Sequence, residues 1–222
     1  MIRIIQSKNK EKYSQEMDQM HKLRASVFSG RLGWGVEVVD GWEIDAFDAL
    51  APLYFISLDD LGQVRGALRL LPTTGPNMLR DVFHCLLPDG LVIESPRIWE
   101  SSRFSVDLAH PAERSANRLN RVTGELLAGI VEVGMLVGLT HVVSVYDARM
   151  ARVLKHAGCP ADLVGDPQRI GDVMTYAGLF NTDEEMLARI RAAAGLEGSV
   201  LEPQTMELAF AAWPGREAVL RR

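Results

Sequence analysis

The stretch Trp99-Glu100-Ser101-Ser102-Arg103-Phe104-Ser105-Val106 decides how this chain is read, because it sets an acid and a base on a segment that otherwise reads as a buried strand. Successive side chains of a strand alternate between faces. Residues 100, 102, 104 and 106 are therefore expected on one face and 99, 101, 103 and 105 on the other. On that alternation Glu100 and Arg103 do not pair side by side, and each needs a partner of its own. An isolated carboxylate or guanidinium taken out of water costs several kcal/mol even after relaxation, so a buried one implies opposite charge and hydrogen bonds around it. Arg24, Asp45, Asp48 and Arg69 stand upstream as candidates, and together they predict a charged cluster folded into a cleft.

Working outward, residues 2–6 read as a strand, and 10–26 as a helix whose apolar positions Tyr13, Met17, Met20, Leu23 and Val27 recur at spacings of three and four. Residues 28–50 hold Gly30, Gly33, Gly35 and Gly41, two tryptophans and many acids, the composition of a long functional loop. Strands at 53–58 and 63–71 are joined by the hairpin signal Asp59-Asp60-Leu61-Gly62 and end at Pro72. A helical turn at 78–83 precedes the strand at 98–106, and 115–137 is a long apolar helix closed by Gly138. Residues 140–146 form a strand-type apolar run. A helix at 147–157, strands at 160–165 and 171–179 and a helix at 182–194 complete the order. With no repeat or linker, residues 1–222 read as one domain, a mixed sheet with helices on both faces.

The net charge of −5 and the lack of a basic stripe argue against nonspecific nucleic-acid binding, which needs a positive field. The opening Met1-Ile2-Arg3-Ile4-Ile5-Gln6 turns polar too soon for a signal peptide, and no apolar run approaches the roughly 20 residues of a membrane span. A cytoplasmic location without membrane contact is the expectation. Cys85 and Cys159 lie far apart with neither a C-x-x-C nor a His-rich neighbourhood, so they read as reduced structural thiols and no metal is expected.

Between residues 32 and 64 there is no Lys or Arg, whereas Glu37, Asp40, Glu43, Asp45, Asp48, Asp59 and Asp60 all fall there. Trp34 and Trp42 share the window and Phe28 precedes it. Aromatic faces attract cations by ~0.5 to 2 kcal/mol, so acids and aromatics together suit a positively charged small molecule. The same residues also read as a solvated acidic face with aromatics plugging the core, and the loop alone does not choose.

The ordered set Arg24, Phe28, Trp34, Asp45, Asp48, Arg69, Phe83, Glu100 and Arg103 resembles, in type and spacing, the hallmark pattern of the acyl-homoserine lactone synthases, the autoinducer synthases of bacterial quorum sensing. The likeness runs from Leu23 to Val106, through Leu23-Arg24-Ala25-Ser26-Val27-Phe28, Asp45-Ala46-Phe47-Asp48, Gly66-Ala67-Leu68-Arg69-Leu70-Leu71-Pro72-Thr73 and Glu100-Ser101-Ser102-Arg103-Phe104. It implies an α/β fold of three layers, an α/β/α sandwich with a mixed central sheet of the N-acetyltransferase type. The acyl chain would lie where the strands at 98–106 and 140–146 splay apart. Ordinary acetyltransferases of that fold cradle coenzyme A pyrophosphate with an R-x-x-G-x-G/A turn. This chain reads Asp107-Leu108-Ala109-His110-Pro111-Ala112-Glu113-Arg114 instead, which disfavours a generic acetyl-CoA enzyme.

Enzymes of this family join S-adenosylmethionine to an acyl thioester. The amine attacks the thioester carbonyl, and the methionyl carboxylate then closes on its own γ carbon and expels methylthioadenosine. S-adenosylmethionine is thus a substrate, and neither a cofactor nor a metal is implied. By the resemblance, Arg24, Phe28, Trp34, Asp45, Asp48 and Arg103 bind it, with 28–50 as its loop. Phe28 and Trp34 face the sulfonium, and Arg24 or Arg103 holds the carboxylate. Asp45 and Asp48 neutralise Arg24, Arg69 and Arg103, a role that is structural if the cluster only holds itself rigid. Glu100 is the candidate general base, and backbone N–H groups near Phe104 and Ser105 the oxyanion donors. The acyl pocket is assigned to Met135, Val142, Ser144 and Tyr146. Ser144 falls where synthases using 3-oxo chains often carry a Thr, which leaves the acyl substituent open. The donor is an acyl carrier protein or coenzyme A thioester. Arg149, Arg152 and Lys155 either steer an acidic carrier or complement the C-terminal end of their helix. Two other classes remain beside this one: an N-acyltransferase using acyl-CoA with another amine, and a non-catalytic small-molecule binding module.

Overall fold

The computed structural model describes residues 1–109 and 119–203. Its strands are β1 (Ile2–Ile5), β2 (Val38–Val39), β3 (Trp42–Glu43), β4 (Leu53–Leu58), β5 (Val64–Pro72), β6 (Ile98–Val106), β7 (His141–Asp147), β8 (Asp162–Leu163), β9 (Gln168–Ile170) and β10 (Val173–Asn181). Its α-helices are α1 (Ser14–Ala25), α2 (Met78–Asp81), α3 (Arg121–Val137), α4 (Ala148–His156) and α5 (Glu184–Ala194). Eight strands make one sheet in the order β1-β4-β5-β6-β7-β10-β8, with β9 on β10. Among the described strands only β6 and β7 pair in parallel, and Ile2 adds an isolated parallel bridge to Leu201.

Period-two alternation sorts the sheet into two faces. Leu53, Phe55, Leu68 and Leu70 join α3, α4 and α5 in one core, whereas Tyr54, Ile56 and Ala67 pack with Met20 of α1 in a second. Leu79 of α2 meets Val143 and Ala177 on that second side. The expected three-layer α/β/α sandwich with a mixed sheet is thus the observed fold. Side-chain oxygens of Asn120, Asp147 and Asp183 cap α3, α4 and α5, satisfying N–H groups that a helix start leaves bare. Gly138 ends α3 at φ 74°, a conformation that penalises a Cβ. α3 also presses so closely on β5 that a Cβ on Gly66 would stand 2.5 Å from Val122 Cγ1.

Several boundaries differ from the sequence reading. Helix 10–26 is a 3-10 turn (Lys10–Tyr13), α1, and a wider π-type segment (Ser26–Arg31). Phe28 therefore sits on the helical extension and not in the loop. The loop itself contains the β2–β3 hairpin, turned by Asp40 (φ 53°) and Gly41 (φ 84°). That Asp-Gly pair is a hairpin signal the composition had masked. α3 starts after Asn120, and the expected residues 115–118 lie outside the described residues, as do 110–114 of the stretch after Val106. β9 was not anticipated. Among the described residues no helix is long and apolar enough to cross a membrane.

Candidate active site

The decisive strand does not alternate. Ser102 lies opposite Arg69 and Ser105 opposite Ala67, so both Arg103 and Phe104 face the single residue Leu68. Arg103 occupies the left-handed region at φ 56°, as the first residue of such a bulge does. The extra residue turns Arg103 onto the α1 face with Glu100, Ser102 and Ser105, and sends Phe104 to the α3 core. The expectation that Glu100 and Arg103 occupy opposite faces is corrected by this one bulge.

On that face three guanidiniums meet three carboxylates. Arg24 donates from Nε to Glu43 at 2.5 Å and from Nη1 and Nη2 to both oxygens of Asp48 at 2.9 Å. Arg69 donates to Asp45 (2.5 and 3.0 Å), to Asp48 (2.9 Å) and to Ser102 Oγ (3.1 Å). Arg103 reaches Glu43 at 3.0 Å and Asp45 at 2.7 Å, with Nη1 on Met78 Sδ. The acids are held by their own backbone. Asp45 accepts from Phe47 N and Asp48 from Asp45 N, a reciprocal cap on the 3-10 turn Ala46–Leu50. Arg24 and Arg69 are almost wholly buried, and the net charge of the six groups is zero, which is what makes such burial tolerable. Burial would raise Asp48, but Arg24 and then Arg69 outweigh it and hold the carboxyl well below its usual range. Burial, and then Asp48, push the Tyr54 phenol upward; its OH donates to Asp48 at 2.7 Å.

Glu100 stands apart from the ion pairs. Its oxygens accept from Met78 N at 2.9 Å and Leu79 N at 2.6 Å, at the start of α2. Burial raises its pKa above the ordinary glutamate value, against the pull of these two N–H groups. Phe28 and Trp34 rings lie 5.4 Å apart, and the Arg103 guanidinium already covers Phe28 at 5.3 Å. Trp42, placed in the same aromatic set by sequence, is instead exposed and bonded to Asp18. Phe83 packs with Leu79 and Leu86 rather than joining the ionic network. Glu43, Tyr54, Ser102 and Met78 belong to the site but were not assigned to it from sequence. Glu43 was legible only as one acid of a run, because its inward aim depends on the β2–β3 hairpin.

β6 and β7 pair from Ile98↔His141 to Ser101↔Ser144 and no further, so the splay opens there. Ser144 Oγ donates to Ser101 O at 2.9 Å, at its vertex. The N–H groups of Phe104 and Ser105 lie on the stretch of β6 without a β7 partner, while the Ser105 hydroxyl is spent on Ala67 O. Val142 and Tyr146 sit in the α3-side core with Met135 packed on it. Of the four assigned acyl residues only Tyr146 lines the cavity of about 500 Å³ that Leu154, Cys159, Ala161, Leu163 and Tyr176 complete. Tyr146 stacks on Tyr176 at 5.7 Å and 11°. Cys85 and Cys159 are free thiols, and burial pushes Cys159 up to about 12. Arg149, Arg152 and Lys155 are exposed along α4. Among the described residues no three His, Cys, Asp or Glu groups are placed to hold a metal.

A sheet that splays between two central strands, with a buried ionic network on one face and an apolar cavity on the other, defines an acyltransferase of the N-acetyltransferase fold. The chain belongs to the autoinducer synthase family, whose model matches residues 8–190, and with it to the acyl-homoserine-lactone synthases. It is 40% identical over 180 residues to an acyl-homoserine-lactone synthase of Agrobacterium fabrum, covering 81% of this chain and 85% of that protein. The crystal structure of the synthase LasI superposes with a TM-score of 0.76 at 30% identity, over 89% of this chain and 98% of that one. The CoA-dependent synthase BjaI, solved with SAM and isopentyl-CoA, shares the fold with a TM-score of 0.80 at 24% identity, over 96% and 99% of the two chains.

Proposed function

We propose that this synthase takes S-adenosylmethionine on the ionic face and an acyl thioester through the β6–β7 splay, forms the amide, and then closes the lactone. The observation that carries this reading is the bulge at Arg103, which turns a partly exposed guanidinium onto the face of Glu100 and over Phe28, the ring beside Trp34. Arg24 is the more deeply buried of the two, 1% exposed against 9% for Arg103, so Arg103 is the better holder of the methionyl carboxylate. Arg103 also fills the cation position over Phe28, which leaves the sulfonium to Trp34.

Attack requires a free amine. Glu43, Asp45 and Asp48 are neutralised by guanidiniums, and Asp48 is held too acidic to take a proton. Glu100, raised by burial and outside the ion pairs, is the carboxylate left to take the proton, through a water on its remaining lone pairs. The amine nitrogen bonds to the thioester carbon, and the oxyanion meets N–H groups of the bare β6 stretch near Phe104 and Ser105. The thiolate then leaves with a proton. In the second step a carboxylate oxygen bonds to the γ carbon, whose bond to sulfur breaks and releases methylthioadenosine. The donor is acyl-coenzyme A or an acyl carrier protein thioester, and both belong to the cytoplasm.

Glu100→Gln is expected to keep the fold and slow single-turnover amide formation by roughly 10²- to 10⁴-fold; an unchanged rate excludes Glu100 as the base. Mass spectrometry of the protein with S-adenosylmethionine and a panel of thioesters tests the whole reading. Methylthioadenosine and lactone in equal amounts are expected, whereas thioester consumption without methylthioadenosine contradicts it.

A further inference from the structure

Of the guanidiniums in the ionic network, two meet oxygen at every nitrogen. Arg24 has Glu43 on Nε and Asp48 on both Nη atoms, while Arg69 has Ser102 Oγ on Nε and Asp45 on both Nη atoms. Arg103 differs at one position. Its Nε donates to Glu43 at 3.0 Å and its Nη2 stands 2.7 Å from Asp45. Among the described residues, however, the acceptor on Nη1 is the thioether of Met78, at 3.3 Å. The same sulfur takes a second bond from Arg69 Nη2, at 3.5 Å.

Met78 is itself buried and firmly placed. It is the first residue of α2, behind the Asn77 cap, and its N–H bonds Glu100 at 2.9 Å. One residue therefore touches the candidate base through its backbone and Arg103 through its side chain.

A thioether is a weak and neutral acceptor. It orients an N–H without cancelling the charge behind it, and a carboxylate oxygen displaces it, because a charge-assisted bond is the stronger one. An amide or carboxylate at this point would hold Nη1 more firmly and compete with the substrate. A hydrocarbon would leave a buried N–H unmet. The sulfur lies between these extremes. The rest of Arg103 stays anchored, with Phe28 under the guanidinium at 5.3 Å and Glu43 and Asp45 on its other nitrogens, so only Nη1 has to change partner.

We propose that Met78 is a positioning residue for the acceptor: its sulfur holds Arg103 Nη1 in place for the methionyl carboxylate and gives it up when that carboxylate arrives. This rests on the reading that Arg103 takes the carboxylate, and deepens it by naming the group that presents the guanidinium. Met78 acts here through Arg103 and not on a reacting atom. Its loss weakens carboxylate recognition and leaves the Glu100 chemistry intact, since the N–H donated to Glu100 is a backbone group.

The test is Met78→Leu, a swap that conserves volume, in the full chain. Titration calorimetry without a thioester compares S-adenosylmethionine with its decarboxylated form, and steady-state rates are taken at saturating thioester. The variant is expected to bind S-adenosylmethionine roughly three- to tenfold more weakly, the size of one lost hydrogen bond, and to bind the decarboxylated form as wild type does. Its KM for S-adenosylmethionine should rise, with kcat and the pH dependence of kcat unchanged. Equal losses for both ligands would mean that residue 78 only packs, and no loss for either that the sulfur is idle; each overturns the proposal, as does a fall in kcat with the KM unmoved. Arg103→Gln separates the inference from the reading beneath it. If that variant still prefers S-adenosylmethionine to the decarboxylated form by the wild-type margin, Arg103 does not hold the carboxylate and both fall. If it loses the preference while Met78→Leu keeps it in full, the role of Met78 alone is refuted.

Discussion

The two faces of β6 solve opposite problems with neighbouring residues of one strand. Trp99, Phe104 and Val106 point to α3 and contribute as ordinary core, each large apolar side chain worth about 1.5–3 kcal/mol on burial. Glu100, Ser102 and Arg103 point to α1 and α2 and fill the equivalent depth with ions. A buried, paired charge gains little over a hydrophobic residue of the same shape, and the pairing mostly repays desolvation. Three arginines and three acids are therefore a poor way to stabilise a sheet and a good way to fix guanidiniums for a charged substrate. The contrast separates residues kept for chemistry from residues kept for packing.

The sharpest way to break that contrast is to remove one ion and leave its partners. Arg69→Met leaves Asp45 to Arg103 and Asp48 to Arg24 and gives the buried cluster one uncompensated negative charge; it is expected to cost about 3–5 kcal/mol in urea unfolding and to abolish lactone formation. A loss below about 1 kcal/mol, within the range of an exposed ion pair, would mean that the network is hydrated. The packing face answers to volume instead. Gly66→Val would drive a side chain into Val122 and Leu126, and about 1–3 kcal/mol should be lost through overpacking. The ionic face should retain its activity at temperatures where that variant stays folded.

A smaller effect separates the faces by pH. The folded-state pKa of Asp48 lies below its unfolded value of about 3.9, so the folded state binds fewer protons there. Its contribution is full above about pH 4 and is lost as pH falls toward the folded pKa. Thermal melts of Asp48→Asn should therefore start lower at neutral pH but fall less steeply than wild type between about pH 4 and 2. An unchanged slope would remove Asp48 from the acid response.

Much of this was legible in the chain because apolar alternation and cap residues are local signals. The strands at 53–58, 98–106 and 140–146 and the stop at Gly138 follow from them. The partners of Arg24 and Arg69 were legible because buried charge demands opposite charge. What sequence could not supply was register. The bulge at Arg103 is set by how β5 and β6 pair, and a single extra residue reverses the faces of everything beyond it. Glu43 was hidden for the same reason, since its aim depends on the turn at Asp40 and Gly41. The residues assigned to the acyl chain were the least legible: Val142 and Met135 pack in core, and only Tyr146 of the four borders the cavity beside α4.

The central claim is that acceptor and acyl chain are held on opposite faces and meet through the splay. It is tested most directly by one steady-state experiment on Trp34→Ala and Tyr146→Ala, recording the S-adenosylmethionine KM and the acyl-chain profile of the lactones from a mixed thioester pool. The account predicts that Trp34→Ala raises the KM by roughly tenfold, as loss of a cation–π contact worth up to about 2 kcal/mol would, with the profile unchanged. Tyr146→Ala should shift the profile toward larger acyl groups and leave that KM as it was. If either substitution moves both quantities together, the two faces are one site and the account is contradicted.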